Sequence, residues 1–370
     1  MYSESDVEAA VAAGALTPQQ AASFRNFVAE SHHMPVVDEE HFRLLTGFND
    51  IFVGIAAAIL LVAMAWIGHY VPPNIDGDGP SPFMGLFVAV TAWGLAEFFT
   101  RKRRMALPSI LLLLAFVGGV FATSVVTMVT AIGEAAVEDR PQTGLVVLAA
   151  GAAIAALAAW LHWKRFRVPI TVAAGAGAIV ALTLGLIATG FAQENMTDAQ
   201  LEAMRAAMEV GALALGVGVF LFAMWWDGSD PRRETRRSDV AFWLHLLAAP
   251  LIVHPIFSLL GLTEGNASTL DAAAVILLYV VLGLVALAVD RRALLVSALA
   301  YVLYALNSLF QTYGDVELSF ALTALVIGSA LLLLSAFWTA ARRAVVKPLP
   351  ERLQMRLPVV DRVTAAPLPA

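Results

Sequence analysis

Two histidines and two prolines fall inside one apolar run, HLLAAPLIVHPIFSLLG, from His245 to Gly261. Imidazole is the side chain whose charge changes near neutral pH, so His245 and His254 are well suited to proton chemistry. Nine residues apart on a straight helix, they would face nearly opposite sides. Pro250 and Pro255 carry no amide hydrogen, which leaves the carbonyls of Leu246 and Leu251 without helical partners. Within a bilayer such carbonyls need protein or trapped water to satisfy them. The stretch therefore predicts a polar pocket. Neighbouring segments offer companions: Tyr279, then Tyr301, Tyr304, Asn307 and Gln311, the last two on one helical face with Tyr304 beside them. Thr123, Thr127 and Thr130 form a milder stripe. Two chemistries fit this set. One is interhelical hydrogen bonding, with each neutral histidine held by a tyrosine or amide. The other is a protonatable site in a solute or proton pathway.

Other ionisable residues near apolar segments have structural explanations. Glu97 stands one turn before Arg101 and can pair with it. Asp50, Asp239, Asp271 and Asp290 lie at segment ends, where the first two can cap helices. The absence of cysteine excludes disulfides, thiolate metal sites and a catalytic thiol. His32, His33 and His41 do not converge as metal ligands must, and no HExxH pattern occurs. No metal, cofactor or nucleic-acid partner is expected.

These residues have to be positioned by helices that cross a membrane. Hydrophobic residues make up 59% of the 370, charged ones only 14%, and the mean hydropathy is +0.77. A crossing needs about 20 apolar residues. Ten segments qualify: 50–71, 82–100, 106–132, 143–163, 168–191, 207–226, 240–261, 271–289, 293–313 and 317–341. Alternate connections are rich in arginine, as in RKRR, KRFR, DGSDPRRETRR and DRR. The others read PPNIDGDGPSP, GEAAVEDRPQ and AQENMTDAQLEAMR. Of 23 Lys and Arg, 21 fall on the first side, the exceptions being Arg140 and Arg205. Basic loops stay in the cytoplasm. The expected fold is thus an all-α polytopic bundle in the inner membrane with both termini cytoplasmic. The first 49 residues are polar and hold no cleavable signal, so the first span is expected to act as its own targeting signal. Segments four to six are dominated by Gly and Ala at helical spacing, as in Ala174, Ala178, Ala181 and Gly185, and in Ala207, Gly211, Ala214 and Gly218. Small residues let backbones approach, so these spans are expected to form the tight centre.

The chain ends are polar. Residues 1–34 read as a cytoplasmic helical hairpin: Ser5 with Glu8 and Thr17 with Gln20 form capping boxes, Pro18 opens the second helix, and Gly14 stops the first. Residues 35–49 form a linker and interfacial helix, and the proline-rich tail 342–370 reads as disordered. The hairpin with GALTPQQA at its turn, followed by a polar linker and a many-span bundle, resembles a bacterial membrane-protein family classed as a domain of unknown function. That resemblance covers about residues 5–70 and implies no activity. Residues 50–165 and 239–342 also align as a parallel repeat, partly at an offset of 189. The ten-span layout is similar to the drug/metabolite transporter superfamily, whose halves are inverted where this match is parallel. Three functions follow as alternatives: a transporter of a small solute or ion with its pocket among spans seven to nine; a scaffold or sensor that binds a protein partner or itself through residues 5–31; and an intramembrane enzyme.

Overall fold

The computed structural model describes residues 4–31, 48–231, 233, 235–261, 269–292, 295–299, 302–303, 325, 328–330, 332–355 and 357–359, and no strand occurs among them. It divides into two compact units, residues 1–42 with 359–370, and residues 43–358.

The first unit contains the hairpin α1 (Glu4–Ala12) and α2 (Pro18–Ser31). The second expected capping box is formed: the Gln20 amide donates to Thr17 Oγ1 at 3.2 Å, and the Thr17 amide donates to Gln20 Oε1 at 2.9 Å. Gly14 sits at φ 73°, the left-handed turn that glycine adopts without steric cost. Ser5 lies within α1, which begins at Glu4, so it is not that helix's cap. Val7 and Ala21 are buried.

The second unit is a bundle of antiparallel apolar helices. They are α3 (Phe48–His69), α4 (Pro82–Phe99), α5 (Ala106–Ile132), α7 (Pro141–Phe166), α8 (Ile170–Phe191), α9 (Asp198–Gly228) and α10 (Arg236–Leu259), with a short α6 (Glu134–Glu138) between α5 and α7. Among the described residues these seven are long and apolar enough to span a membrane. The count is eight if Gly328–Ala336 and Trp338–Val346, which meet at 72°, are one bent span. The chain is an integral membrane protein. Helix α11 (Thr269–Val289) coincides with the expected eighth span. Most of the ninth and tenth lies outside the described residues. The bend falls at Phe337, inside the segment expected to run unbroken to residue 341.

Sequence neighbours pack as antiparallel pairs, α3 on α4, α4 on α5, α7 on α8 and α9 on α10, while α5 meets α7 and α8 touches both α9 and α10. Glycine permits the closest approaches. A β-carbon on Gly85 of α4 would come within 2.5 Å of the Gly119 carbonyl of α5, and one on Gly216 of α9 within 2.8 Å of the Leu251 backbone of α10. Leu251 is a residue whose carbonyl Pro255 leaves without a helical donor, and the bare Gly216 backbone lies against it.

The expected tight centre holds for α7 and α8, the most buried spans after α10, and needs correction for α9. Of the seven spans, α10 is the most buried and α9 the least (50% and 11% of their apolar windows). Ala241, Leu244, Ala248, Ala249, Val253 and Phe257 of α10 are fully enclosed. In α9, Gly211 meets Leu184 and Ile187, but Gly218 has nothing within 4 Å of its side-chain position. Periodicity fixes which small residues share a face; it does not say which face turns inward.

At the arginine-rich end, Glu97 of α4 accepts from Arg101 at 3.2 Å, as its spacing predicted, and also takes a two-pronged bond from Arg165 at the end of α7 (2.6 and 2.9 Å). At the opposite end, Glu134 of α6 hydrogen-bonds the Asp76 carboxyl. That bond, with partial burial and the nearby charges of Asp76 and Glu138, raises Glu134 to about 7.

Candidate functional site

The last turn of α9 carries one acid, Asp227, after an apolar run that ends in Trp225–Trp226. The return loop is tight because the Asp230 carboxylate accepts from both the Thr235 amide (2.9 Å) and the Thr235 hydroxyl (2.7 Å), and Thr235 then caps α10. This brings α10 back antiparallel, with His245 facing Asp227.

The third part of the site comes from the end of α11. Asp290 adopts φ 60°, the left-handed turn, and the Arg291 amide reaches back to the Ala286 carbonyl at 2.9 Å. This six-to-one bond is the Schellman way of ending a helix, usually made with glycine at the left-handed position. An aspartate there costs backbone strain of about 1–2 kcal/mol. The turn sends the two neighbouring side chains to different partners: Arg291 reaches Asp227, and Asp290 reaches Arg233 and Trp338.

Asp227, His245 and Arg291 form a buried triad. Asp227 Oδ1 accepts from Arg291 Nη2 at 2.6 Å. Its Oδ2 accepts from Arg291 Nε at 3.3 Å and lies 2.9 Å from His245 Nε2. Arg291 Nη2 also donates to the Ser238 carbonyl at 3.1 Å. Relative exposure is 1% for Asp227, 1% for His245 and 3% for Arg291. A carboxylate paired with a guanidinium can only accept, so the hydrogen between it and His245 sits on Nε2. Nδ1 is then a bare lone pair. It is buried and has no hydrogen-bond partner, with the ring of Phe220 edge-on to the imidazole at 5.2 Å. A carboxylate that orients one imidazole nitrogen leaves the other as a proton acceptor.

A second cluster adjoins the first. Asp290 accepts from Arg233 Nη1 (2.7 Å) and Trp338 Nε1 (2.8 Å), and Arg342 Nε stands 3.6 Å away. Arg233 also donates to the carbonyl of Asp290 at 3.0 Å, covering the end of α11. Burial holds the Arg233 guanidinium down at about 10, which still leaves it charged at neutral pH. On Trp338–Val346, the residues Trp338, Arg342 and Val346 form the buried stripe, so Arg342 points inward although it is an arginine. Around this site the buried carboxylates Asp227, Asp230 and Asp290 are matched by Arg233, Arg291 and Arg342. With His245 neutral, the charges balance.

The three sequence-derived residues that the structure describes, His245, His254 and Tyr279, do not meet at one place. His245 is at the triad. His254 is largely exposed (58% of its side chain) and its Nε2 lies 3.6 Å from Glu209 Oε1 of α9. Tyr279 is half-buried among apolar side chains, against the group around Val253 and Phe257 and that around Ala249 and Ala286. Tyr301, Tyr304, Asn307 and Gln311 lie outside the described residues. Another histidine is fully buried: His162 of α7, whose Nδ1 lies 3.2 Å from Thr171 Oγ1, with Phe166, Phe116 and Trp93 around its ring. No group of three or more metal-ligating side chains occurs among the described residues.

Asp227, Arg233, Glu209 and Arg291 were not singled out by sequence reasoning. Asp227 and Arg291 read as loop charge in DGSDPRRETRR and DRR, and Asp290 as a plain interface residue. The available signal was an acid within the last apolar turn of one span and an Asp-Arg pair closing another, both on the arginine-rich side. No family model matches the chain, and no curated protein or solved structure shows significant similarity to it.

Proposed function

We propose that this protein is a proton-coupled transporter of a small solute or ion, in which the Asp227–His245 pair binds the coupling proton. One observation carries the reading: the histidine is held by a carboxylate within the spans, while its second nitrogen is buried without a partner. A buried polar atom left unsatisfied costs about 1–3 kcal/mol; His162 also leaves a buried nitrogen, Nε2, without a partner, but it bonds a hydroxyl, whereas His245 faces a carboxylate that can hold the imidazolium. Proton uptake at Nδ1 makes the triad net positive, and that charge can be relieved by rearranging Arg291 or by admitting an anion. Helix α10 is suited to such motion, since Pro250 and Pro255 weaken its hydrogen-bond ladder.

The finer topology belongs to the same proposal: ten spans in an inner membrane of bacterial type, both termini cytoplasmic, and the triad at the cytoplasmic end. Its support is that 21 of 23 basic residues fall on alternate connections and at the two chain ends. Membership of the domain-of-unknown-function family suggested by residues 5–70 is part of the proposal and adds no chemistry. The test uses proteoliposomes loaded with a pH-sensitive dye and challenged singly with amino acids, carboxylates, sugars and monovalent cations. At least one should move protons in the native protein and fail to do so in His245→Gln of unchanged helicity. Silence across the panel, or unaltered movement in the variant, overturns the reading. Deleting residues 1–34 separates the alternatives: a transporter keeps its flux, whereas a scaffold working through residues 5–31 loses its partner.

A further inference from the structure

Basic residues crowd the two turns that join α4 to α5 and α7 to α8. Arg101, Lys102, Arg103 and Arg104 lie in the first, Lys164, Arg165 and Arg167 at the second, and all are exposed. The turns are built alike: each basic run closes on an arginine in the left-handed conformation, Arg104 at φ 54° and Arg167 at φ 57°, just before the next helix begins. Glu97 ties them together, since its carboxylate accepts from Arg101 beside it and from Arg165 of α7. Around the triad every buried carboxylate is answered by a guanidinium. Here the balance is different. Among the described residues Glu97 is the one carboxylate that bonds any of these cations, and Asp50, at the neighbouring end of α3, is buried. Lys102, Arg103, Arg104, Lys164 and Arg167 are left with no acidic partner.

Four of those five lie over aromatic rings instead. Lys102 and Arg103 stand 6.0 and 5.5 Å from the Phe98 ring centre, Lys164 stands 4.1 Å from Trp160, and Arg167 5.7 Å from Trp163. A ring carries no formal charge, so each cation keeps its own and its remaining donors. The rings also set the depth. Phe98 and Trp160 are exposed near the ends of apolar helices, and rings in that position, with basic side chains reaching past them, mark the boundary between acyl chains and headgroups. We propose that the two turns form a binding site for anionic phospholipid, with phosphate held at Lys102–Arg104 and at Lys164 with Arg167. Ammonium and guanidinium groups donate to phosphate oxygens in charge-assisted hydrogen bonds. Their height beside Phe98 and Trp160 favours a phosphate anchored in the bilayer over one free in water. The site is separate from the triad and does not depend on proton coupling.

The test is titration of the full chain in detergent with phosphatidylglycerol or phosphatidylcholine, bound lipid being resolved by native mass spectrometry. The native chain should prefer phosphatidylglycerol. Replacing Lys102, Arg103 and Lys164 together by Gln should weaken that binding at least about tenfold with helicity unchanged, since each basic group beside an anionic headgroup contributes about fivefold. Arg104 and Arg167 stay native because their backbones are left-handed. Lys102→Arg, Arg103→Lys and Lys164→Arg together should bind as the native chain does. A control that removes the same charge from exposed positions elsewhere at the arginine-rich end, Arg236→Gln, Arg237→Gln and Lys347→Gln, should change little. Equal weakening in the control would reveal general attraction in place of a site. Undiminished lipid binding in the Gln variant would leave the turns to a soluble acidic partner, and displacement of lipid by glycerol 3-phosphate would make them a site for free phosphate. Each of these three results overturns the lipid site.

Discussion

Replacing Asp227 by Asn and Arg291 by Met, singly and together, tests whether the triad is one unit. The Asp227 carboxylate receives Arg291 at 2.6 and 3.3 Å and His245 at 2.9 Å, with all three residues almost wholly enclosed. A guanidinium and a carboxylate whose charge centres are about 4 Å apart attract by about 4 kcal/mol at an effective dielectric constant near 20. Desolvation of the two ions, at several kcal/mol each, offsets most of that attraction. The intact pair therefore adds little net stability, but either partner alone is left as an uncompensated buried charge. Each single variant should lose about 3–5 kcal/mol. The double variant removes both charges and should lose no more than either single variant, giving a coupling of at least about 3 kcal/mol. The assay is reversible unfolding with increasing SDS mole fraction from mixed micelles, read by helical circular dichroism and tryptophan fluorescence. Additive losses, or single losses below about 1 kcal/mol, would show that water reaches the carboxylate and that the triad is not sealed.

Close packing of α9 on α10 predicts that Gly216→Ala costs about 1–3 kcal/mol in the same assay, because the new methyl meets the Leu251 backbone at 2.8 Å, whereas Gly218→Ala, with open space around it, stays within about 0.5 kcal/mol. Glu134, raised to about 7 from 4.5 foremost by its hydrogen bond to Asp76, keeps a proton in the folded chain that the unfolded chain has already lost between those pH values. Stability should therefore fall as pH rises through that window and level off above it; Glu134→Gln should flatten the slope, and an unaltered slope in thermal melts at stepped pH would refute the assignment. The Glu97 cluster joins α4 to α7 at a partly exposed surface, so Glu97→Ala should cost little in the same assay, and the loss should shrink at high salt.

Much of the architecture could be read from single residues because a bilayer imposes simple local rules. Lengths of apolar sequence fixed α3, α4 and α5 to within a residue or two, and charge sorting separated the arginine-rich connections from the acidic ones. Capping chemistry placed Thr17, Gln20 and Gly14 at the hairpin turn, since each acts within a few residues of itself. Proline identity marked α10 as the weakened helix.

The site was another matter. Burial separated the two histidines: His245 is sealed against Asp227, and His254 is largely exposed beside Glu209. Beyond their place at the end of an apolar run, nothing local distinguishes Asp227 or Arg291 from exposed charges of the same connections, such as Arg236 and Arg237. Their role depends on a left-handed turn at Asp290, on a loop pinned by Asp230, and on the end of α11, 64 residues beyond Asp227, meeting the α9–α10 pair at one carboxylate. A charge becomes an internal one only when neighbours from elsewhere in the chain exclude water from it. Residue type and spacing decide what can cross the membrane; the desolvation that gives Asp227, His245 and Arg291 their chemistry is decided by tertiary contact alone.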